Sequence, residues 1–314
     1  MSSHTTSLVS PTSFRETLSG HKIPVLGYGV SGLCTTILIM FRSDVDHSYM
    51  KCIPENVAED VTKTALQAGY RHFDSAAFYE NEAQCAAAVR SAGLERSDVF
   101  LTTKILPEFA GEGVGYEATK KCIQKSLERA QTSYFDLILI HTPYGGKEGR
   151  LGTWRALVEA QKAGKTRLIG VSNYGIPHLE ELEHYIQSEV GGSIDVAQYE
   201  LHPWLARADL VEWLKRRGTV IEAYSPLVRG TRMTEPVLQS LSEKHGKSPA
   251  QILIRWSLQM GFIPLPKSCT PKRIMENTDV FDFELDAGDM NLLHTGNYSP
   301  SESDWDPTVE GLDK

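Results

Sequence analysis

An acid, a phenol, an ammonium and an imidazole stand in order in the first half of this chain: Asp74, Tyr79, Lys104 and His141. Asp74 and Tyr79 lie five residues apart in the stretch 72–82, which reads as a short strand, a turn and the opening of a helix. Asp74 should therefore end a strand, and Tyr79 should sit in the loop that follows. Lys104 closes the apolar run that begins at Val99, and His141 closes the run that begins at Phe135. Together these are groups for moving a proton. A phenol with a pKa of about 10 is a weak acid at neutral pH, but a neighbouring ammonium would lower that value. A carboxylate beside the ammonium would keep it charged and oriented, and the imidazole adds a hydrogen-bonding group.

Side chains drawn from so far apart meet only where strand ends converge. Apolar runs close at positions 74, 104, 141, 172, 199, 224 and 267, with helical stripes between them such as Val57/Val61/Ala65/Ala68, Ala118/Cys122/Ile123/Leu127 and Trp154/Leu157/Val158. With a first strand at Val25 there are eight strands. Regular alternation of this kind favours a closed parallel (β/α)8 TIM barrel over a doubly wound sheet, and a barrel gathers its strand ends on one face. Upstream, Phe14–Leu18 and Ile23–Leu26 flank Gly20 as a β-hairpin. We expect residues 1–314 to form one domain, with residues 295–314 as a tail over the catalytic face.

The motifs GYRHFDSAAFYENE, TTK, DLILIHTP, GVSNY, YSPL and LPKSCTPKRIMEN, in this order, resemble those of the aldo-keto reductases. The resemblance runs from about Ile23 to Leu293 with one break. It implies NADPH-dependent reduction of an aldehyde or ketone by hydride transfer, which leaves negative charge on an oxygen that needs a proton. By resemblance Tyr79 is the general acid, Lys104 and Asp74 tune it, and His141 orients the carbonyl. The resemblance also assigns the NADP contacts. Ser172, Asn173 and Gln198 would meet the carboxamide, Tyr224 would stack on the nicotinamide, and Ser225 and Leu227 would border the pyrophosphate. Lys267, Ser268, Thr270 and Arg273 would grip the 2′-phosphate, with Glu276 and Asn277 on the adenine. Some members of the family serve instead as NADP-binding regulatory subunits, and tight binding without turnover would mark that alternative.

Bulk properties agree with a soluble enzyme. Apolar residues make up 41% of the 314, enough for a large core, and a net charge of −8 without a basic run argues against nucleic-acid or anionic-membrane partners. The five cysteines, at 34, 52, 85, 122 and 269, form neither a C-x-x-C pair nor a zinc-like cluster. They read as reduced thiols. No metal site is expected, the start of the chain lacks the order of a secretory signal, and the longest apolar run, Leu33–Phe41, is too short to span a bilayer. We expect a cytoplasmic monomer acting on a small-molecule carbonyl substrate.

Two stretches fit less simply. Gly27-Tyr28-Gly29-Val30-Ser31-Gly32 has the spacing of a dinucleotide fingerprint, with Asp46 at a plausible distance, but residues 33–41 have no polar face to make the helix that such a turn requires. Residues 31–52 interrupt the family match as an atypical insertion, readable either as a translated intron or as a substrate loop. Comparing NADPH oxidation and thermal stability with a version joining Val30 to Ile53 separates these two readings. Pocket loops also depart from the family: the stretch 141–152 is short and lacks a Trp beside the His, and Tyr298 and Trp305 are the tail's only aromatic wall candidates.

Overall fold

The computed structural model describes residues 10–31, 55–106, 108, 111–301 and 305–314. Of the insertion 31–52, residues 32–52 lie outside the described residues. Eight strands form one all-parallel sheet: β3 (Tyr28–Gly29), β4 (His72–Asp74), β5 (Phe100–Ile105), β6 (Phe135–Ile140), β7 (Thr166–Ser172), β8 (Val196–Glu200), β9 (Val220–Tyr224) and β10 (Ile263–Leu265). Helices separate them, as the alternation predicts: α1 (Glu55–Gln67), α2 (Glu82–Ser91), α3 (Gly115–Ala130), α4 (Gly146–Lys162), α5 (Ile176–Tyr185), α6 (Ala208–Arg216), α7 (Pro236–His245), α8 (Pro249–Gln259) and α9 (Pro271–Glu276). A short α10 (Ala287–Leu292) follows. The hairpin around Gly20 is present as β1 (Phe14–Glu16) and β2 (Lys22–Pro24), paired antiparallel. It sits at the barrel floor, where its buried Ile23 joins the interior cluster.

The sheet closes where β3 meets β10. Gly27 N donates to Pro264 O and Gly29 N to Pro266 O, each at 3.1 Å, which ties first strand to last. A Cβ on Gly27 would stand 2.4 Å from Leu265 Cδ2 and 2.9 Å from His72 Nδ1, and one on Gly29 would stand 3.0 Å from the Leu265 carbonyl oxygen. The paired glycines are thus explained by the seam, which needs two backbones in close approach. The ladder residues of the first strand are fewer than the apolar run at Val25 suggests, because Gly27 pairs on the β10 side only.

Period-two alternation along the strands builds two cores. Residues such as Phe73, Leu101, Ile138, Ile140, Ile169 and Ile221 point outward under the helices. Ile23, Phe100, Leu137, Leu168, Val196, Val220 and Ile263 fill the barrel interior as an apolar floor. Toward the carboxyl ends the inward positions include the polar Thr102, Gln198, Glu222, Asp74 and Lys104 beside apolar Leu139 and Leu265. Asp74 and Lys104 thereby stand at or next to the carboxyl ends of their strands.

Gly27→Ala should lower the unfolding free energy by about 1–3 kcal/mol, because the added methyl overpacks the seam against Leu265 and His72. Urea unfolding measures it. Stability equal to the parent would show that the seam has room for a side chain.

Candidate active site

At the catalytic face β4, β5 and the turn after β4 bring three of the four expected groups together. Lys104 Nζ, 1% exposed, donates to Asp74 Oδ1 at 2.6 Å and to the Ser75 carbonyl at 2.9 Å. The same ammonium lies 5.0 Å from the centre of the Tyr79 ring. Tyr79 ends a 3-10 turn, Ala77–Tyr79, closed by Glu80 in a left-handed conformation at φ 57°. Buried Asn81 braces that turn: Ser75 Oγ donates to Asn81 Oδ1 at 2.8 Å, and Asn81 Nδ2 donates to the Val30 carbonyl at 2.7 Å. His141 completes the set, its ring edge-on to Tyr79 with centroids 5.6 Å apart.

Burial sets the electrostatics. It holds the Tyr79 phenol above its ordinary value, against the downward pull of the Lys104 charge and hydrogen bond. The lysine acts in the expected direction, but burial outweighs it. Burial and the Lys104 charge push His141 well below the usual imidazole range, so the ring is neutral. Lys104 stays raised because Asp74 and Tyr79 more than offset the cost of burying it.

The second half of the barrel supplies a hydrogen-bonded rim. Ser172 Oγ donates to the Gln198 carbonyl at 2.9 Å, and Asn173, left-handed at φ 64°, donates through Nδ2 to the His141 carbonyl at 3.0 Å and to Ser172 Oγ at 3.1 Å. Tyr224 donates its hydroxyl to Asn173 Oδ1 at 2.9 Å. Gln198 turns its amide nitrogen inward, to Asp74 Oδ2 at 2.8 Å and to Glu222 Oε2 at 2.9 Å. Ser225 and half-buried Leu227 begin a tight turn after β9, in which Ser225, Val228 and Arg229 all take positive φ. Lys267 and Ser268 follow β10. Ser268 Oγ accepts from Thr270 N at 3.1 Å, its carbonyl accepts from the Tyr28 hydroxyl at 2.5 Å, and Thr270 and Arg273 are exposed beside it. Glu276 and Asn277 lie one turn further along α9, with Asn277 buried.

Several contributors escape a reading of strand ends. Glu222 and His72 are wholly buried ionisable groups inside strands, signalled only by polar residues at inward positions of apolar runs. Burial holds the Tyr79 and Tyr224 hydroxyls above their ordinary value, and the charge of exposed Arg229 is among the weaker influences that oppose it. The stretch 141–152 is mostly helix, because α4 starts at Gly146 after left-handed Gly145. Tyr298 and Trp305 are engaged by the protein itself: Arg207 Nη1 donates to the Tyr298 hydroxyl at 2.9 Å, and Trp305 hydrogen-bonds Tyr144.

The sequence model of the Aldo/keto reductase family matches residues 46–295. The chain is 39% identical over 286 residues to glyoxal reductase of Bacillus subtilis, covering 90% of this chain and 93% of that protein. The structure of an aldo/keto reductase from Brucella melitensis aligns with a TM-score of 0.78 at 37% identity, covering 90% of this chain and 98% of that one. A mutant of Gox0644 in complex with NADPH aligns with a TM-score of 0.80 at 31% identity, over 95% and 98% of the two chains. Fold, site and likeness together define an oxidoreductase of the carbonyl-reducing class. The chain belongs to the aldo-keto reductase family.

Lys104→Met should lower stability by about 3–5 kcal/mol, since Asp74 would stay buried without a counter-charge. Adding Asp74→Asn should restore a large part of that loss. Denaturant unfolding of the two single variants and the double variant measures the coupling, and additive losses would contradict it.

Proposed function

We propose that this protein reduces a small aldehyde or ketone to the alcohol with NADPH as reductant and Tyr79 as the general acid. The observation that carries the reading is the position of Lys104, whose buried ammonium is held by the Asp74 carboxylate and set against the Tyr79 ring. Bound NADPH supplies the hydride. The protein must then provide a proton and a place for the charge that develops on oxygen. Tyr79 gives up its proton beside a positive charge, so the phenolate left behind is stabilised more than the phenol was. His141, being neutral, offers a hydrogen bond to the carbonyl oxygen without competing as an acid. His141 is buried and Tyr79 is half-buried, which strengthens both effects relative to open water.

The donor set fits a nicotinamide cofactor. Gln198 spends its N–H groups inward, which leaves its amide oxygen as an acceptor for a carboxamide N–H. Ser172, Asn173 and Tyr224 brace one another at the rim, with the half-buried Tyr224 ring as a stacking surface. Ser225 and Leu227 would border the pyrophosphate. Lys267, Ser268, Thr270 and exposed Arg273 provide the cations and hydroxyls that a 2′-phosphate requires, and Glu276 and Asn277 would hold the adenine. Glyoxal is the first substrate to try, given the activity named for the relative in Bacillus subtilis.

Tyr79→Phe should abolish carbonyl reduction while NADPH binding stays nearly intact, as read by turnover and by quenching of protein fluorescence. Activity within about tenfold of the parent would remove Tyr79 as the acid, since general acid catalysis is worth about 10²–10⁴-fold. Arg273→Ala should weaken NADPH binding by about 1.5–3 kcal/mol and leave NADH binding nearly unchanged. Equal weakening of both would show that Arg273 does not face the 2′-phosphate.

A further inference from the structure

Inside the barrel, beneath the catalytic pair, stands a carboxyl group that the proposed reaction does not use. Glu222 of β9 is 0% exposed, and no hydrophobic strand needs it there. Its Oε2 accepts from Gln198 Nε2 at 2.9 Å, and the same nitrogen donates to Asp74 Oδ2 at 2.8 Å. Its Oε1 lies 3.5 Å from His72 Nε2, beyond hydrogen-bond range of any described partner. His72 Nε2 in turn stands 3.3 Å from Thr102 Oγ1. Glu222, Gln198, Asp74, Lys104 and Tyr79 thus form a continuous column from the middle of the barrel to the phenol.

An amide nitrogen has two protons, and both are committed here. One goes to the carboxylate that holds Lys104, the other to Glu222. The amide plane of Gln198 is thereby fixed at two points, with its oxygen turned away from both acids. We propose that Glu222 is a positioning residue: through Gln198 it fixes both the orientation of Asp74 beneath Lys104 and the amide oxygen that meets the carboxamide of the cofactor. This inference rests on the nicotinamide reading of the site.

The charge balance of the column agrees with that role. Asp74 and Glu222 face one ammonium, Lys104, and the other groups against Glu222 are His72 of β4, across the barrel, and Gln198 of the neighbouring β8. A second bare carboxylate would be uncompensated in a dry interior, so it keeps its proton instead. Burial and the Asp74 charge push Glu222 up to about 8, against the opposing pull of Gln198 and Lys104. His72 does not supply a positive charge, because burial pushes its imidazole down to about 3. Since the folded-state value of Glu222 is raised above its unfolded one, its contribution to stability is complete at acid pH and is lost as pH climbs through the folded value.

The test uses the full-length chain and three readouts: NADPH affinity, turnover with glyoxal, and thermal stability across about pH 5 to 9. Glu222→Gln keeps an acceptor for Gln198 and should hold NADPH affinity and kcat within about threefold. Its melting temperature should lack the fall that the parent shows as pH rises toward about 8. Glu222→Leu fills similar space without an acceptor and should lose about tenfold in both kcat and NADPH affinity at neutral pH. Parent-like affinity and turnover in Glu222→Leu would overturn the proposal, as would equal losses in the Gln and Leu variants. So would a Glu222→Gln variant whose stability falls with pH as the parent's does, and this arm stands even if Glu222→Leu does not fold. A parent chain that binds NADPH but reduces nothing would count against the proposed reaction alone, because Glu222 is then judged by affinity and by the pH arm.

Discussion

A lysine ammonium with 1% exposure is the constraint on which this structure turns. Taking such a charge out of water costs several kcal/mol, and only a closely held counter-charge with further hydrogen bonds offsets that cost. Lys104 has both, in Asp74 Oδ1 at 2.6 Å and the Ser75 carbonyl at 2.9 Å. The pair is adjacent because β4 and β5 are neighbours in a parallel sheet, where Asp74 pairs in register with Thr102 and Lys104 is the next inward residue. The apolar floor beneath keeps water from entering from below. The ammonium lies 5.0 Å from the centre of the Tyr79 ring.

The C-terminal segment is tied to the barrel at three buried or part-buried anchor residues, Arg207, Arg150 and Glu200. Arg207, left-handed at φ 45°, reaches the segment 298–308 through the Tyr298 hydroxyl, the Thr308 hydroxyl and the Asp306 carboxylate, with Nη2 to Oδ1 at 3.1 Å. Buried Arg150 of α4 donates to the Leu312 carbonyl at 2.8 Å and to the Pro143 carbonyl at 3.0 Å, which ties the tail to the loop after β6. Glu200 receives the amide of Ser301 at 3.0 Å. The Arg150 and Glu200 bonds use backbone atoms of the tail, whereas the Arg207 bonds depend on its Tyr298, Asp306 and Thr308 side chains.

What could be read from the chain alone follows from the range of each interaction. The order of strands and helices, the hairpin at Gly20 and the convergence of Asp74, Tyr79, Lys104 and His141 rest on local periodicity, so they were legible. Helix α7 and helix α8 carry local signals too, with Pro236 and Pro249 opening them and a Ser248/Gln251 capping box before the second. They interrupt the simple strand-helix count, which is why alternation alone does not predict them. The start of α4 at Gly146 was hidden by its glycines, which look like a loop. One of them, Gly152, is there because a Cβ would stand 2.7 Å from Tyr116 N on the facing helix. Partners of Glu222, Arg207 and Arg150 lie tens to more than a hundred residues away, and no spacing in the sequence announces them. The need for glycine at the seam, where Gly27 and Gly29 meet Leu265, depends likewise on the first strand meeting the last.

The central claim is that this buried pair and its phenol reduce carbonyl groups at the expense of NADPH. The most direct measurement is oxidation of NADPH and of NADH by the purified protein against a panel of small carbonyls, with glyoxal, simple aldehydes and simple ketones, alongside the affinity for each nucleotide. The account predicts steady NADPH oxidation that requires a carbonyl compound, forms the corresponding alcohol, and is much slower with NADH at equal concentration. Tight NADPH binding with no turnover on any member of the panel would contradict it, and would place the protein among those that hold the cofactor as a signal.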